Sequence, residues 1–191
     1  VMTQVTDRML AQRDVFADTL IELIDGNEDV YVLDGDLANS TKADKVSRER
    51  PDHFLEMGIA EQNMVSVGAG MSAGGKVPFC STFSKFMTRA YDQIEMAINS
   101  GANIKFVGSH AGISLASDGP SQMSLPDVAW FRSFATARDH RGNPACYVLQ
   151  PADAYAAYAL TEIMAEYEGA CYMRTLRPDT EFLYSDDDVF N

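Results

Sequence analysis

The chain has 191 residues, 46% of them hydrophobic and 23% charged, enough for one soluble domain with a sizeable core. Lys+Arg number 15 against 28 Asp+Glu, a formal net charge of -13, which argues against wholesale binding to nucleic acid or an anionic membrane but leaves room for local arginines to grip a phosphate. No apolar run approaches the ~18 residues of a membrane span and no signal peptide is visible, so a cytoplasmic protein is the expectation.

Taken in chain order, RMLAQRDVFADTLIELI (8–24) carries apolar residues at helical spacing and is stopped by Asp25-Gly26-Asn27. VYVLD (30–34) reads as a buried strand, the polar, turn-rich stretch 35–52 as loop, and HFLEM (53–57) as a weaker strand. Residues 60–73 suit a helix rich in Ala, Gly, Ser and Met, ended by Gly74-Gly75. KVPFCST (76–82) reads as strand and 84–99 as helix; NIKFVGS (103–109) is again strand, followed by a Gly-rich loop to Gln122 and a helix near Pro126–Arg132. ACYVLQ (145–150) is strand, Pro151 suits a helix start, that helix runs to about Tyr167, and GACYMRT (169–175) is the last strand. Strands alternating with helices, continuously apolar rather than alternating in and out, predict a single α/β domain over 1–191: three layers, a mostly parallel central sheet and helices on both faces. The loops after the strands, 35–50 and 110–125, are then the expected site positions. Val1 in place of Met, and an end at SDDDVFN just past a strand-like stretch, are what a fragment, a processed chain or a trimmed one would show.

Several local patterns admit two readings. GAGMSA (68–73) fits the dinucleotide fingerprint GxGxxA, but it lies inside a helix-like run instead of opening a helix after a strand, so small residues for close helix packing are the better account. Cys80, Cys146 and Cys171 form no CxxC pair and fall in apolar stretches, which predicts reduced core thiols. His53, His110 and His140 show no metal-ligand spacing, and no nucleophile elbow supports a triad of Ser121, His110 and Asp118. Loop 109–123 places His110, Asp118, Ser121 and Gln122 near one strand end, where a solvated surface loop would also do. Phe83, Phe86 and Arg89, at successive i+3 spacing, would form one helical stripe; core packing explains the two rings but not the guanidinium that continues them. Glu61 is the one charge in MGIAEQNMVSVGAGMSAGG (57–75), either a helix-start carboxylate suited to the macrodipole or a buried group that something must hold.

Five blocks in this order, LDGDLANST (33–41), FLEMGIAEQNM (54–64), VPFCSTFSKFMTRAYDQIEMAI (77–98), GSHAGISLASDGPSQMSLPDVAWFR (108–132) and CYMRTLRP (171–178), resemble the thiamine-diphosphate enzymes, and transketolases most closely. GIAEQ is shared with deoxyxylulose-phosphate synthases and 2-oxoacid dehydrogenase β chains; a fragment of either, or a non-catalytic assembly module of the same fold, is the alternative. The resemblance covers effectively the whole chain and implies the pyrimidine-binding domain of the thiamine-diphosphate-binding fold. The diphosphate-binding and C-terminal domains have no counterpart here, and neither does the GDG…N motif that carries magnesium and diphosphate, so the chain is expected to be one half of a site, completed by a diphosphate-binding partner in a homo- or hetero-oligomer.

What the resemblance implies for single residues is as follows. Glu61 hydrogen-bonds N1′ of the aminopyrimidine, its burial letting it share a proton with the ring. Phe83 and Phe86 hold the ring by aromatic packing, and Arg89 stands where some members have Tyr. His110 contacts the sugar near its reacting hydroxyls and Asp118 bonds a hydroxyl. Gln122 stands where many members have His, and an amide does not titrate. Arg13, Ser40 and Arg174 bind the phosphate of a sugar phosphate, which the bidentate fork of arginine suits. The metal, Mg2+, would be ligated by the partner, with none held by this chain.

Overall fold

The computed structural model describes residues 9–185 and 187–190. In chain order the elements are β1 (Met9–Ala11), α1 (Gln12–Gly26), β2 (Val30–Asp34), α2 (Ala38–Thr41), α3 (Asp44–Glu49), β3 (Phe54–Glu56), α4 (Glu61–Ala73), β4 (Val77–Phe83), α5 (Tyr91–Asn99), β5 (Lys105–Ser109), α6 (Asp127–Ala135), β6 (Cys146–Leu149), α7 (Ala154–Glu166), β7 (Ala170–Arg174) and β8 (Asp179–Glu181). Six of the strands make one sheet in the order β3-β2-β4-β5-β7-β6, every pair parallel; β1 and β8 pair antiparallel outside it.

Alternate residues of each strand feed two cores. Leu33, Cys80, Phe106 and Tyr172 pack with Met64 and Val65 of α4, Ile94 and Ile98 of α5, and Phe131 and Phe134 of α6. Their strand neighbours Val32, Phe79, Val107, Cys171 and Met173 pack with Phe16, Leu20 and Ile24 of α1, Val46 of α3 and Met164 of α7. The predicted three-layer parallel fold is thus observed, and apolar residues on both faces explain why the strands read as continuous runs instead of alternating ones. Each fully buried Phe or Leu contributes about 1.5–3 kcal/mol of the driving force.

Some boundaries differ from the sequence reading. Stretch 35–52 is not plain loop: α2 and α3 occupy much of it, with a 3-10 turn over Pro51–His53. Met9–Ala11 is strand instead of helix because β8 supplies an antiparallel partner from the far end of the chain; Arg8, where the predicted helix begins, lies outside the described residues. α7 starts three residues after Pro151, where the Asp153 carboxylate caps it by accepting from the Ala156 N–H at 2.9 Å. The helix predicted over 84–99 divides into a 3-10 turn, Phe86–Ala90, and α5. The three cysteines are free and buried, as expected.

Gly68 shows what the small residues of α4 are for. A Cβ there would lie 2.8 Å from Cys80 Sγ and 2.9 Å from Ile104 Cδ1, so the helix rests directly on β4. Gly68→Ala should gain up to about 1 kcal/mol of helix propensity and lose more to overpacking, for a net destabilisation of about 1–2 kcal/mol; urea unfolding with an unchanged m-value checks it.

Candidate functional site

The strand order reverses between β2 and β4: the chain leaves β2 for β3 on one side and returns to β4 on the other. A crevice forms at the carboxyl ends of strands flanking such a switch point. The loop between β3 and α4 enters it. Glu56 Oε1 accepts from the backbone N–H of Asp36 and of Gly58, both at 2.9 Å, tying the ends of β2 and β3 together. Gly58 turns with φ 67, a conformation glycine adopts without steric cost, and α4 then begins at Glu61. Glu61 therefore stands in the first turn of α4 at the switch point, which is the helix-start position of the first sequence reading.

The Glu61 carboxylate is only 3% exposed, and Arg89 supplies its counter-charge, Nη1 donating to Oε1 at 2.6 Å. Arg89 is itself 47% exposed and lies over the Phe86 ring, 4.2 Å from its centroid. Phe86 stacks on Phe83 at 5.4 Å and Phe83 on the His110 imidazole at 4.1 Å. Phe83 is the last residue of β4, not part of a helix; the 3-10 turn, with its three-residue repeat, aligns Phe86 with Arg89. The expected stripe is thus assembled from a strand end and a turn. Beside Glu61 the floor is close: a Cβ on Gly35 would lie 3.2 Å from Thr82 Oγ1 and 3.8 Å from Glu61 Cγ. Thr82 Oγ1 is buried with no hydrogen-bond partner among the described residues.

A second cluster sits at the end of β5. His110 is buried in a left-handed conformation, φ 56, and both ring nitrogens are engaged. Arg13 Nη1 lies 3.3 Å from Nε2 and Ser109 Oγ 2.9 Å from Nδ1. A guanidinium can only donate, so Nε2 accepts, Nδ1 carries the proton, and the imidazole is neutral. Burial, reinforced by Arg13 and Arg177 and opposed by Asp118, pushes His110 down to about 4. Arg13 Nη1 also donates to the Ser40 carbonyl at 2.9 Å, while Arg13 Nε is buried without a partner among the described residues. Arg13, Ser40 and His110, far apart in sequence, therefore meet.

Arg174 has its own anchor: it pairs with the buried carboxylate of Asp127 through Nε at 2.7 Å and Nη2 at 3.1 Å, and its strand neighbour in the register is Gly108, two residues before His110. Asp118 is exposed on a 3-10 turn, Ala116–Asp118, and Gln122 follows it, its backbone N–H bonded to Gly119 O at 3.2 Å. Sequence reading missed Asp34, Asp127 and Arg177. Asp34 is fully buried at the end of β2, accepting from Leu37 N–H at 2.7 Å and Thr41 Oγ1 at 2.8 Å, and burial pushes it up to about 7. Its signal was a charge closing the apolar run VYVLD. Among the described residues no group of three His, Cys, Asp or Glu side chains could hold a metal ion, and no helix is long and apolar enough to cross a membrane.

The depressed His110 value has a signed consequence. Between about 4 and the ordinary 6.5 the unfolded chain binds a proton that the folded chain refuses, so His110 destabilises the fold as pH falls through that window. His110→Asn tolerates the left-handed backbone. Its stability relative to wild type should rise by about 2 kcal/mol from pH 7 to pH 4, read by denaturant unfolding at each pH.

Comparison with known proteins identifies the family of this fold. Residues 8–181 match the family described as transketolase, pyrimidine binding domain. Transketolase of Homo sapiens is 42% identical over 182 residues, 95% of this chain and 28% of its own length. Transketolase-like protein 2 of Mus musculus is 44% identical over 183 residues with the same coverage, 95% and 28%. A split-gene transketolase solved as an inactive β4 tetramer superposes with a TM-score of 0.80 at 35% identity, covering 95% of this chain and 56% of that one. Transketolase of Campylobacter jejuni superposes with a TM-score of 0.81 at 21% identity, a likeness of fold, covering 93% of this chain and 27% of that one. The chain spans 28% of the length of these curated relatives and belongs to the transketolase pyrimidine-binding domain family.

Proposed function

We propose that this chain supplies the pyrimidine-binding half of a transketolase site, in a cytoplasmic enzyme that moves a two-carbon ketol unit from a ketose phosphate to an aldose phosphate. The observation that carries it is the buried Glu61 carboxylate beside two stacked phenylalanines, with a hydroxyl that has no partner among the described residues, Thr82 Oγ1, in the floor. That arrangement fits a flat heteroaromatic ring with polar edges, the aminopyrimidine of thiamine diphosphate. When bound, this cofactor supplies the electron sink that carries the transferred two-carbon unit.

The chain's own groups take the remaining tasks. Phe83 and Phe86 pack the ring. Glu61 holds a proton at the ring nitrogen N1′; its carboxylate is only 3% exposed, where a hydrogen bond to it is strong. Arg89 balances the Glu61 charge from the solvent side. His110, neutral at working pH, contacts a sugar hydroxyl instead of adding a charge to the site. Asp118 and Gln122 bond hydroxyls farther along the sugar, with Gln122 as a hydrogen-bonding group only. Arg13, Ser40 and Arg174 receive the phosphate; the buried Nε of Arg13, without a partner among the described residues, is in keeping with that role.

On this reading the 1–191 chain is a single domain, and a diphosphate-binding domain or subunit, in a homo- or hetero-oligomer, completes the site and ligates Mg2+. The related split-gene protein, solved as an inactive β4 tetramer, supports that division of labour.

Purified alone with cofactor and Mg2+, the chain should transfer no ketol group; joined by a diphosphate-binding partner it should use a ketose phosphate and not pyruvate as donor. In that complex Glu61→Gln should lower the rate by at least ~10²-fold, the scale of an acid–base group. An unchanged rate would mean that the chain is an assembly module.

A further inference from the structure

Asp127 opens α6 and is fully buried, yet it belongs to none of the groups expected to touch cofactor or sugar. Its Oδ2 accepts from the Tyr172 hydroxyl at 2.8 Å and from Arg174 Nε at 2.7 Å, and its Oδ1 from Arg174 Nη2 at 3.1 Å. Tyr172 is buried, and burial together with the Asp127 charge pushes its hydroxyl well above the usual tyrosine range, so it remains a donor. Ser84 Oγ, 2.7 Å from the same hydroxyl, then donates to Tyr172. The directed relay is Ser84 to Tyr172 to Asp127, with Arg174 bonded to its far side. Ser84 directly follows Phe83, so the relay links the aromatic wall to Arg174. It also needs Gly108: a Cβ there would lie 2.6 Å from the Tyr172 hydroxyl and 2.9 Å from Ser84.

Arg174 has five N–H donors. Asp127 takes Nε–H and one on Nη2, and Gln150 Oε1 takes one on Nη1 at 3.1 Å. Among the bonds of the described residues this leaves one N–H on each terminal nitrogen, a two-pronged fork in a fixed plane. Arg174 also lines a cleft of about 350 Å³ between α6 and β6, with Val128, Arg132 and Tyr147 among its other walls. Without Asp127 the guanidinium has room to swing into that cleft.

We propose that Asp127 is a positioning residue: its buried carboxylate, oriented by Tyr172 and Ser84, sets the plane of the Arg174 guanidinium so that the remaining fork meets the phosphate of the sugar phosphate. The inference rests on the assignment of Arg174 to that phosphate. It gives a specificity role to a residue that touches no ligand.

The experiment uses the chain in complex with its diphosphate-binding partner and compares a ketose phosphate with the same ketose lacking phosphate, by KM and kcat and by calorimetric Kd. Asp127→Asn keeps the size of the side chain but places an amide N–H against one of three donors. It should raise KM and Kd for the phosphorylated sugar roughly 10-fold, the worth of one charged hydrogen bond, with kcat within about twofold and the unphosphorylated sugar unaffected. Arg174→Ala should show the same phosphate-selective loss, and the double variant should add little to either. Should Asp127→Asn fail to fold, Tyr172→Phe carries the test: it removes one O–H and leaves the ring stacked on Phe131 at 3.6 Å. A phosphate-selective rise of about threefold is expected of it.

Equal losses on both sugars, a fall in kcat alone, or simple additivity with Arg174→Ala would overturn the inference. A loss in Arg174→Ala that ignores phosphate would instead overturn the assignment of Arg174, and with it the premise.

Discussion

Glu61 can be buried only because two unlike constraints meet at one point. The parallel sheet, covered on both faces, leaves its carboxyl-end loops as the place where backbone polar groups meet solvent and ligand. There the switch point between β2 and β4 opens a gap, and α4 projects its first turn into it with the favourable end of its dipole. Arg89 then adds the charge that a 3% exposed carboxylate needs, from a position that is itself 47% exposed. The pair is therefore asymmetric. Removing Arg89 would leave a buried charge uncompensated, while a half-hydrated guanidinium contributes much less on its own account than the short distance suggests.

The same pattern, a buried ionisable group answered by specific partners, recurs around the crevice with opposite signs. Asp34 is held at about 7 and His110 at about 4, both mainly by burial. Their effects on stability oppose each other. A raised carboxyl loses stability as pH climbs from about 4 towards 7, because the unfolded chain gives up its proton first. A depressed imidazole gains stability over about 4 to 6.5. Across that overlap the slopes of these two groups cancel in part. Both are neutral through much of the window.

The fold class, the parallel sheet and most helix positions were legible because apolar runs and turn residues report them locally. Position 61 was legible as an anomaly, one charge in a small and apolar run, and the resemblance turned the anomaly into a role. What could not be read were features that depend on partners far away in the chain. β1 is strand only because β8 lies beside it. Stretch 35–52 looks polar because α2 and α3 are short and half-exposed, not because it lacks structure. Lys105, inside the apolar stretch NIKFVGS, is fully buried, its ammonium donating to Asn103 Oδ1, Tyr167 O and Gly169 O at 2.5–2.7 Å; no periodicity reveals carbonyls more than sixty residues later. Arg174 read, with Arg13 and Ser40, as a phosphate ligand; the carboxylate that fixes it lies 47 residues earlier.

That last case shows why candidate ligands in an open crevice come as connected sets. An arginine on a strand end has several rotatable bonds, and freezing them at the moment of binding would cost much of the affinity its fork can deliver. Tying it beforehand to a buried carboxylate moves that cost into folding. The exchange works only if the tether is itself immobile. Asp127 meets the condition because the Tyr172 ring that bonds it is stacked on Phe131 within the core, 3.6 Å between centroids, and because Gly108 lets β5 approach closely enough for the Ser84 contact. Arg13 achieves the same end by bonding the Ser40 carbonyl and His110 together. The precision of the crevice thus comes from the core beneath it: hydrophobic packing fixes the rings, the rings fix the hydroxyl and the imidazole, and these fix the charges that face the solvent.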